Sequence, residues 1–157
     1  MELFHPRYVF DTGPFIDLKH YPHDVFATLW GHFDRLIQNG HVISSTEVLR
    51  ELQAYDDGMA RWAKANGRIF VKPSLDEQAE VKMILKKHPE LIRNEAILLG
   101  KPQADPFVIA QAKIHGCPLV HNEKFKPHAH RIPNVCKDFG VTEISLFEFF
   151  KREGWRF

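Results

Sequence analysis

The feature that most constrains this chain is the regular alternation of short apolar runs with longer segments of helical period. Five runs have β character: Tyr8-Val9-Phe10, His41-Val42-Ile43, Arg68-Ile69-Phe70-Val71, Pro118-Leu119-Val120 and Val141-Thr142-Glu143-Ile144. Between the first two, from Asp24 to Gln38, the residues Val25, Phe26, Leu29, Trp30, Phe33, Leu36 and Ile37 recur at the spacing of one helix face. Asn39-Gly40 ends that helix as a left-handed cap would. Ser45 or Thr46 caps a second helix running to about Tyr55, and Met59 to Asn66 reads as a further turn or two. Ser74-Leu75-Asp76-Glu77 is a capping box that opens a helix to about Lys87. Glu90 to Leu99 and Ala104 to His115 are also helical, broken by Gly100-Lys101-Pro102 and closed by Gly116. A polar loop from Lys124 to Pro133 leads to a short helix, Val135 to Phe139, and Ser145 starts the last one, Leu146 to Arg152. Asp11-Thr12-Gly13-Pro14 reads as the turn that ends the first strand. Strands separated by helices pair in parallel through right-handed crossovers, so the expected fold is α/β in three layers.

Length and charge narrow the function classes. The 157 residues contain no internal repeat or linker, and one domain spanning residues 1–157 is expected. With 21 Lys+Arg against 20 Asp+Glu, the chain is neither a disordered polyelectrolyte nor a protein that grips nucleic acid by bulk charge. No apolar run is long enough to span a membrane, and the start, Met1 to Arg7, lacks the regions of a signal peptide. Cys117 and Cys136 are too few for a disulfide framework and have no metal-binding spacing. These features lead us to expect a soluble, reduced, cytoplasmic protein.

In an open α/β sheet, chemistry gathers beyond the carboxyl ends of the strands, where helix N-termini also point. Asp11 follows the first strand directly, and Glu123 follows the fourth by two residues. Glu47 and Glu51 lie in the first turns of the helix after the second strand, and Asp105 lies in the first turn of the helix before the fourth. Singly, each could cap a turn or favour a helix dipole. Together, carboxylates converging from such distant segments repel one another unless a cation lies among them. Oxygen ligands without cysteine suit Mg2+ or Mn2+ rather than zinc.

Four segments, in order, resemble the motifs of PIN-domain ribonucleases, and among them the VapC-like toxins of prokaryotic toxin–antitoxin pairs. Tyr8-Val9-Phe10-Asp11-Thr12-Gly13-Pro14 is similar to the first motif, in which Asp-Thr is usually followed by Asn. Ser45-Thr46-Glu47-Val48-Leu49-Arg50-Glu51-Leu52 resembles the second, and Ala104-Asp105-Pro106-Phe107-Val108-Ile109-Ala110 the third. Leu119-Val120-His121-Asn122-Glu123 resembles the fourth, which normally reads Thr-x-Asp. Gly13, His121 and Glu123 depart from the usual residues. The resemblance implies a PIN-like, five-stranded parallel sheet in the order 3-2-1-4-5 and a metal-dependent endoribonuclease. Asp11 and Asp105 would be the main ligands, completed by Glu51, with Glu47 as its substitute, and by Glu123. It also implies an RNA substrate, a protein antitoxin and a possible homodimer.

The segment Lys124 to Arg131 carries Lys124, Lys126 and Arg131 with no acid, and these three are the candidate RNA-backbone contacts, with Phe125 packing rather than stacking. Other readings are weaker. Asp11-Thr12-Gly13 also spells the triplet of aspartic proteases, but those need a β-rich body and a paired triplet. His128, His130 and Cys136 lack the second cluster of a zinc site, and no glycine-rich loop cradles phosphate. The serious rival is a catalytically inert PIN-like module that binds RNA or protein.

Overall fold

All five strands pair in parallel. The computed structural model describes residues 5–55, 57–92, 99–100 and 102–157. Its strands are β1 (Tyr8–Phe10), β2 (Val42–Ser45), β3 (Phe70–Val71), β4 (Leu119–Val120) and β5 (Glu143–Ile144), in the order β3-β2-β1-β4-β5. Val9 pairs with Ile43 on one side and Leu119 on the other, so β1 is the central strand. After β3 the chain crosses to the opposite side of β1, which makes the ends of β1 and β4 the topological switch point.

The helices are α1 (Thr12–Leu18), α2 (Ala27–Gln38), α3 (Thr46–Tyr55), α4 (Asp57–Ala65), α5 (Leu75–Lys87), α6 (Asp105–His115), α7 (Ile132–Phe139) and α8 (Leu146–Arg152). One face of the sheet is aromatic. The Phe10 ring on β1 meets Phe15 of α1, Phe33 of α2 and Phe149 of α8 at centroid distances of 5.2, 5.5 and 5.0 Å. Trp62 of α4 joins them against Phe15 and Phe33. Side chains alternate across a strand, so Val9 faces the other layer, where α6 packs on β1, β2 and β4 and is flanked by α5 and α7. Gln111 of α6 fastens that layer by donating from Nε2 to the Ser44 carbonyl at 2.7 Å.

The structure adds one element to the expected order and shifts several bounds. Residues 12–18, read as a turn and its sequel, form α1. Its Gly13 and Pro14 fall in the first turn, where backbone N–H groups have no helical partner and a proline removes nothing. Helix α2 starts at Ala27, three residues after Asp24, and α7 starts at Ile132 with Pro133 in its first turn. Gly67–Ile69 is a 3-10 turn, which shortens β3 to two residues. Of the helix expected from Glu90 to Leu99, Pro89–Leu91 is a 3-10 turn and residues 93–98 lie outside the described residues. Both ends of α5 agree with the capping-box reading, since Ser74 accepts from the Glu77 N–H and Glu77 from the Ser74 N–H. Among the described residues, no helix is long and apolar enough to cross a membrane.

Candidate functional site

Asp11 is where β1 becomes α1. Its N–H donates to the Val120 carbonyl at 2.9 Å, continuing the β1–β4 ladder, and the residue then occupies the N-cap of α1 without its side chain closing the cap. The carboxylate is buried, and its Oδ1 meets no hydrogen-bond donor. Burial pushes its pKa up to about 7, opposed by the Thr12 N–H and reinforced by the charges of Glu51 and Glu123.

Glu51, on α3, is tied to both of the other acidic segments. Its Oε1 accepts the Ala104 N–H at 2.7 Å, one residue before Asp105, and its Oε2 accepts the Thr12 hydroxyl at 3.0 Å, one residue after Asp11. Burial raises its pKa, the two hydrogen bonds lower it, and Glu47 and Glu123 raise it again. Glu47 lies one turn earlier and is engaged by Arg50 through both oxygens at 3.1 Å. Of the two, Glu51 faces the strand ends.

Glu123 is held at both its backbone and its side chain. Its Oε2 accepts the N–H of Ile132, the first residue of α7, at 2.8 Å. Its own N–H donates to Nδ1 of the buried His121 at 3.0 Å. An Nδ1 that accepts carries no proton, so this network assigns the His121 proton to Nε2, which donates to Glu143 Oε2 at 2.5 Å. The imidazole therefore bridges β5 to the segment that carries Glu123.

Asp105 opens α6, partly buried and followed by Pro106. The pKa of the buried Cys136 thiol is raised first by burial and then by Glu143, Asp11, Glu123 and Asp105. Asp11 is within electrostatic reach of Glu51 and Glu123, and the Ala104 N–H ties Glu51 to the residue before Asp105. These four acids do not form a closed ligand shell as they stand. Among the described residues, no three His, Cys, Asp or Glu side chains are gathered closely enough to hold a metal ion. The backbone N–H groups of Thr12, Ala104 and Ile132 donate to Asp11, Glu51 and Glu123 respectively.

Gly13 is explained by its neighbour across the switch point. A Cβ added there would lie 2.9 Å from Asn122 Nδ2, which donates to Asp17 Oδ2 at 2.7 Å. An amide thus lies over α1 although residue 13 carries none. The sequence offered one signal for this arrangement, Gly13 standing at a motif position that usually holds Asn. No spacing rule announced the roles of Thr12, Asp17 and Glu143.

Beside the acids lies a cavity of about 700 Å³, bordered by the end of α1, the segment after β4 and the start of α8, with Glu123 in its lining. Lys124, which also lines it, is exposed, as are Lys126 and Arg131 on the loop that follows. That loop is anchored by Asn134 Nδ2 donating to the Lys126 carbonyl at 2.8 Å and by the His130 and His88 rings, whose Nδ1 atoms are 2.8 Å apart. His88 in turn meets Asp138 at 2.7 Å. Phe125, expected to pack, is 54% exposed, with Lys137 Nζ 5.7 Å from its ring centre.

Sequence comparison leaves the activity open. The model of a domain of unknown function, DUF4411, matches residues 8–157. No protein of curated function is similar in sequence. Among solved structures, a chain in the crystal structure of VapBC2 from Rickettsia felis bound to a DNA fragment from their promoter is similar at 15% identity. The match covers 88% of this chain and 97% of that one with a TM-score of 0.48.

Proposed function

The chain belongs to the DUF4411 family, a description that carries no activity, and we propose from its own residues that it is a divalent-metal-dependent endoribonuclease. The observation that carries this reading is the Asp11 carboxylate, buried at the switch point, without a donor on Oδ1 and raised to about 7 beside Glu51 and Glu123. A hard cation satisfies that oxygen and relieves the repulsion, and a donor set made of carboxylates fits Mg2+ or Mn2+. Asp11 and Asp105 would hold the ion, completed by Glu51 and Glu123, with Glu47 as the substitute should Glu51 stay with Ala104. Once bound, one or two such ions supply a water of lowered pKa and neutralise charge on the phosphodiester. The protein's part is to position these groups. Thr12 fixes Glu51, Ile132 fixes Glu123, and burial around Asp11 keeps the ligand oxygens out of bulk water. Lys124, Lys126 and Arg131 would guide the RNA backbone toward them.

The motif resemblance extends the reading to a toxin restrained by a protein antitoxin. Growth arrest on expression of the chain alone, absent with Asp11→Asn, is the corresponding expectation; a harmless monomer would count against it. The activity itself is tested by incubating single-stranded RNA with the purified chain and Mg2+ or Mn2+. Cleavage should depend on the ion and disappear in Asp11→Asn and Asp105→Asn, both folded. Wild-type rates in either variant would refute the ligand assignment. An absence of ion-dependent cleavage even at high protein concentration would leave the inert binding module.

A further inference from the structure

We propose that the cavity beside Glu123 receives one unstacked nucleobase of single-stranded RNA, guanine in preference to the others. This inference rests on the nuclease reading for its setting and on the cavity's own lining for its chemistry. The cavity lies between the end of α1 with the turn that follows it, which supply Asp17 and Tyr21, and the start of α8, with Phe147, and it is also lined by the segment after β4. Glu123 belongs to its lining, so an occupant adjoins the acidic end of the sheet. At about 700 Å³ it is sized for a nucleoside and too roomy for a single amino-acid side chain.

The lining selects a flat, uncharged donor. Asp17, Glu123 and Glu143 place three carboxylates around the cavity, which disfavours a phosphate there. Asn122 Nδ2 and His121 Nε2 already donate to Asp17 Oδ2 and Glu143 Oε2, so the amide oxygen of Asn122 and the second oxygens of the two acids are acceptors. Ser145 Oγ accepts the Glu148 N–H at 3.1 Å, which leaves its O–H to donate. Guanine matches this excess of acceptors better than any other base, since its Watson–Crick edge offers N1–H and the N2 amino group beside a single acceptor, O6. Phe147, 65% exposed in the first turn of α8, supplies an aromatic face for stacking. Recognition of RNA by splayed bases on aromatic faces, with their edges hydrogen-bonded, uses these parts. Lys124 in the same lining is placed to meet the adjoining phosphate.

The test is fluorescence polarisation with labelled hexauridylates carrying one guanine, inosine or abasic nucleotide at each position in turn, in chelator so that no strand is cut. One position should prefer guanine, and an abasic nucleotide there should weaken binding about ten-fold, the effect of one lost base stack. Inosine, which lacks the N2 amino group, should fall between. Phe147→Ala should remove the difference between guanine and the abasic nucleotide while keeping the manganese-induced rise in Tm. Binding that ignores base identity at every position, or an unchanged base preference in Phe147→Ala, would overturn the proposal. So would a lack of RNA binding both in chelator and in manganese. If the manganese response persists in any of these cases, the cavity assignment alone has failed; if the base preference holds while Asp11→Asn still cleaves RNA, the metal assignment alone has failed.

Discussion

Phe10 is fully buried among three phenylalanine rings, whereas Asp11, the next residue, is buried with a carboxylate oxygen that no donor reaches. The two are neighbours at the end of β1, and both are buried. Around Phe10, contacts between complementary side chains all favour the folded state. Around Asp11, burial, Glu51 and Glu123 all disfavour the charged carboxylate, and only the Thr12 N–H supports it. An arrangement of this kind persists because the surrounding fold holds it in place. Groups whose ionisation is this strongly opposed gather where a ligand or a reaction uses them.

The largest effect should come from breaking the aromatic side of this contrast. Phe10→Ala should lower stability by about 3–5 kcal/mol, read by denaturant unfolding, because it opens a cavity beneath α1, α2 and α8. A loss below about 1 kcal/mol would mean that the face is loosely packed.

The opposite sign is expected next door. With its pKa raised from 3.8 to about 7, folded Asp11 binds a proton more tightly than unfolded Asp11 does. Its contribution is therefore fully present below about pH 4 and is lost as pH rises toward about 7. In chelator, the wild type should lose stability across that window relative to Asp11→Asn, and the variant should melt higher at neutral pH. Each kcal/mol corresponds to roughly 2–4 °C for a chain of this size. Parallel pH profiles would show that Asp11 ionises without opposition.

A smaller effect probes how the switch point is filled. Gly13→Ala should cost about 1 kcal/mol, because the new Cβ displaces Asn122 from Asp17. In an Asn122→Ala background, where only the Asn122 Cβ contact of 3.3 Å remains, the same change should cost clearly less. Additive effects in the double variant would sever the proposed link.

The smallest effect on stability belongs to the basic loop. Neutralising the exposed Lys124, Lys126 and Arg131 together should change stability by no more than about 0.5 kcal/mol per site. It should also flatten the salt dependence of RNA binding, by about 2 in the log–log slope for three lost contacts to a single strand. An unchanged slope would route the RNA elsewhere.

The architecture was legible because it rests on periodicity. The spacing from Leu29 to Ile37 and the Ser74–Glu77 capping box each report on a local rule, whereas Val25, counted with that face, precedes α2 and is exposed; parallel pairing follows once strands and helices alternate. Helix α1 was hidden because Gly13-Pro14 spells a turn as readily as a first helical turn, and only the packing of Phe15 against Phe10 decides between them. The acidic residues could be expected near one end of the sheet from their positions just after strands or in first helical turns. Their partners could not, because the bonds from Ala104 to Glu51 and from Asn122 to Asp17 join segments 53 and 105 residues apart. Whether Glu47 or Glu51 faces inward also needed three dimensions, since both lie on one stretch of α3 and are separated only by their partners, Arg50 for Glu47 and the Thr12 and Ala104 donors for Glu51.

The central claim is that the buried Asp11 carboxylate is one ligand of a cation site, and thermal melting against added Mn2+ and Mg2+ tests it most directly. An ion that binds only the folded chain should stabilise it by about 2.7 kcal/mol at a hundredfold excess over its dissociation constant. We expect Tm to rise with both ions, more steeply with Mn2+, and the rise to vanish in Asp11→Asn. A rise that survives Asp11→Asn, a response to zinc alone that disappears with His128 or Cys136, or no response to any divalent ion would contradict the account.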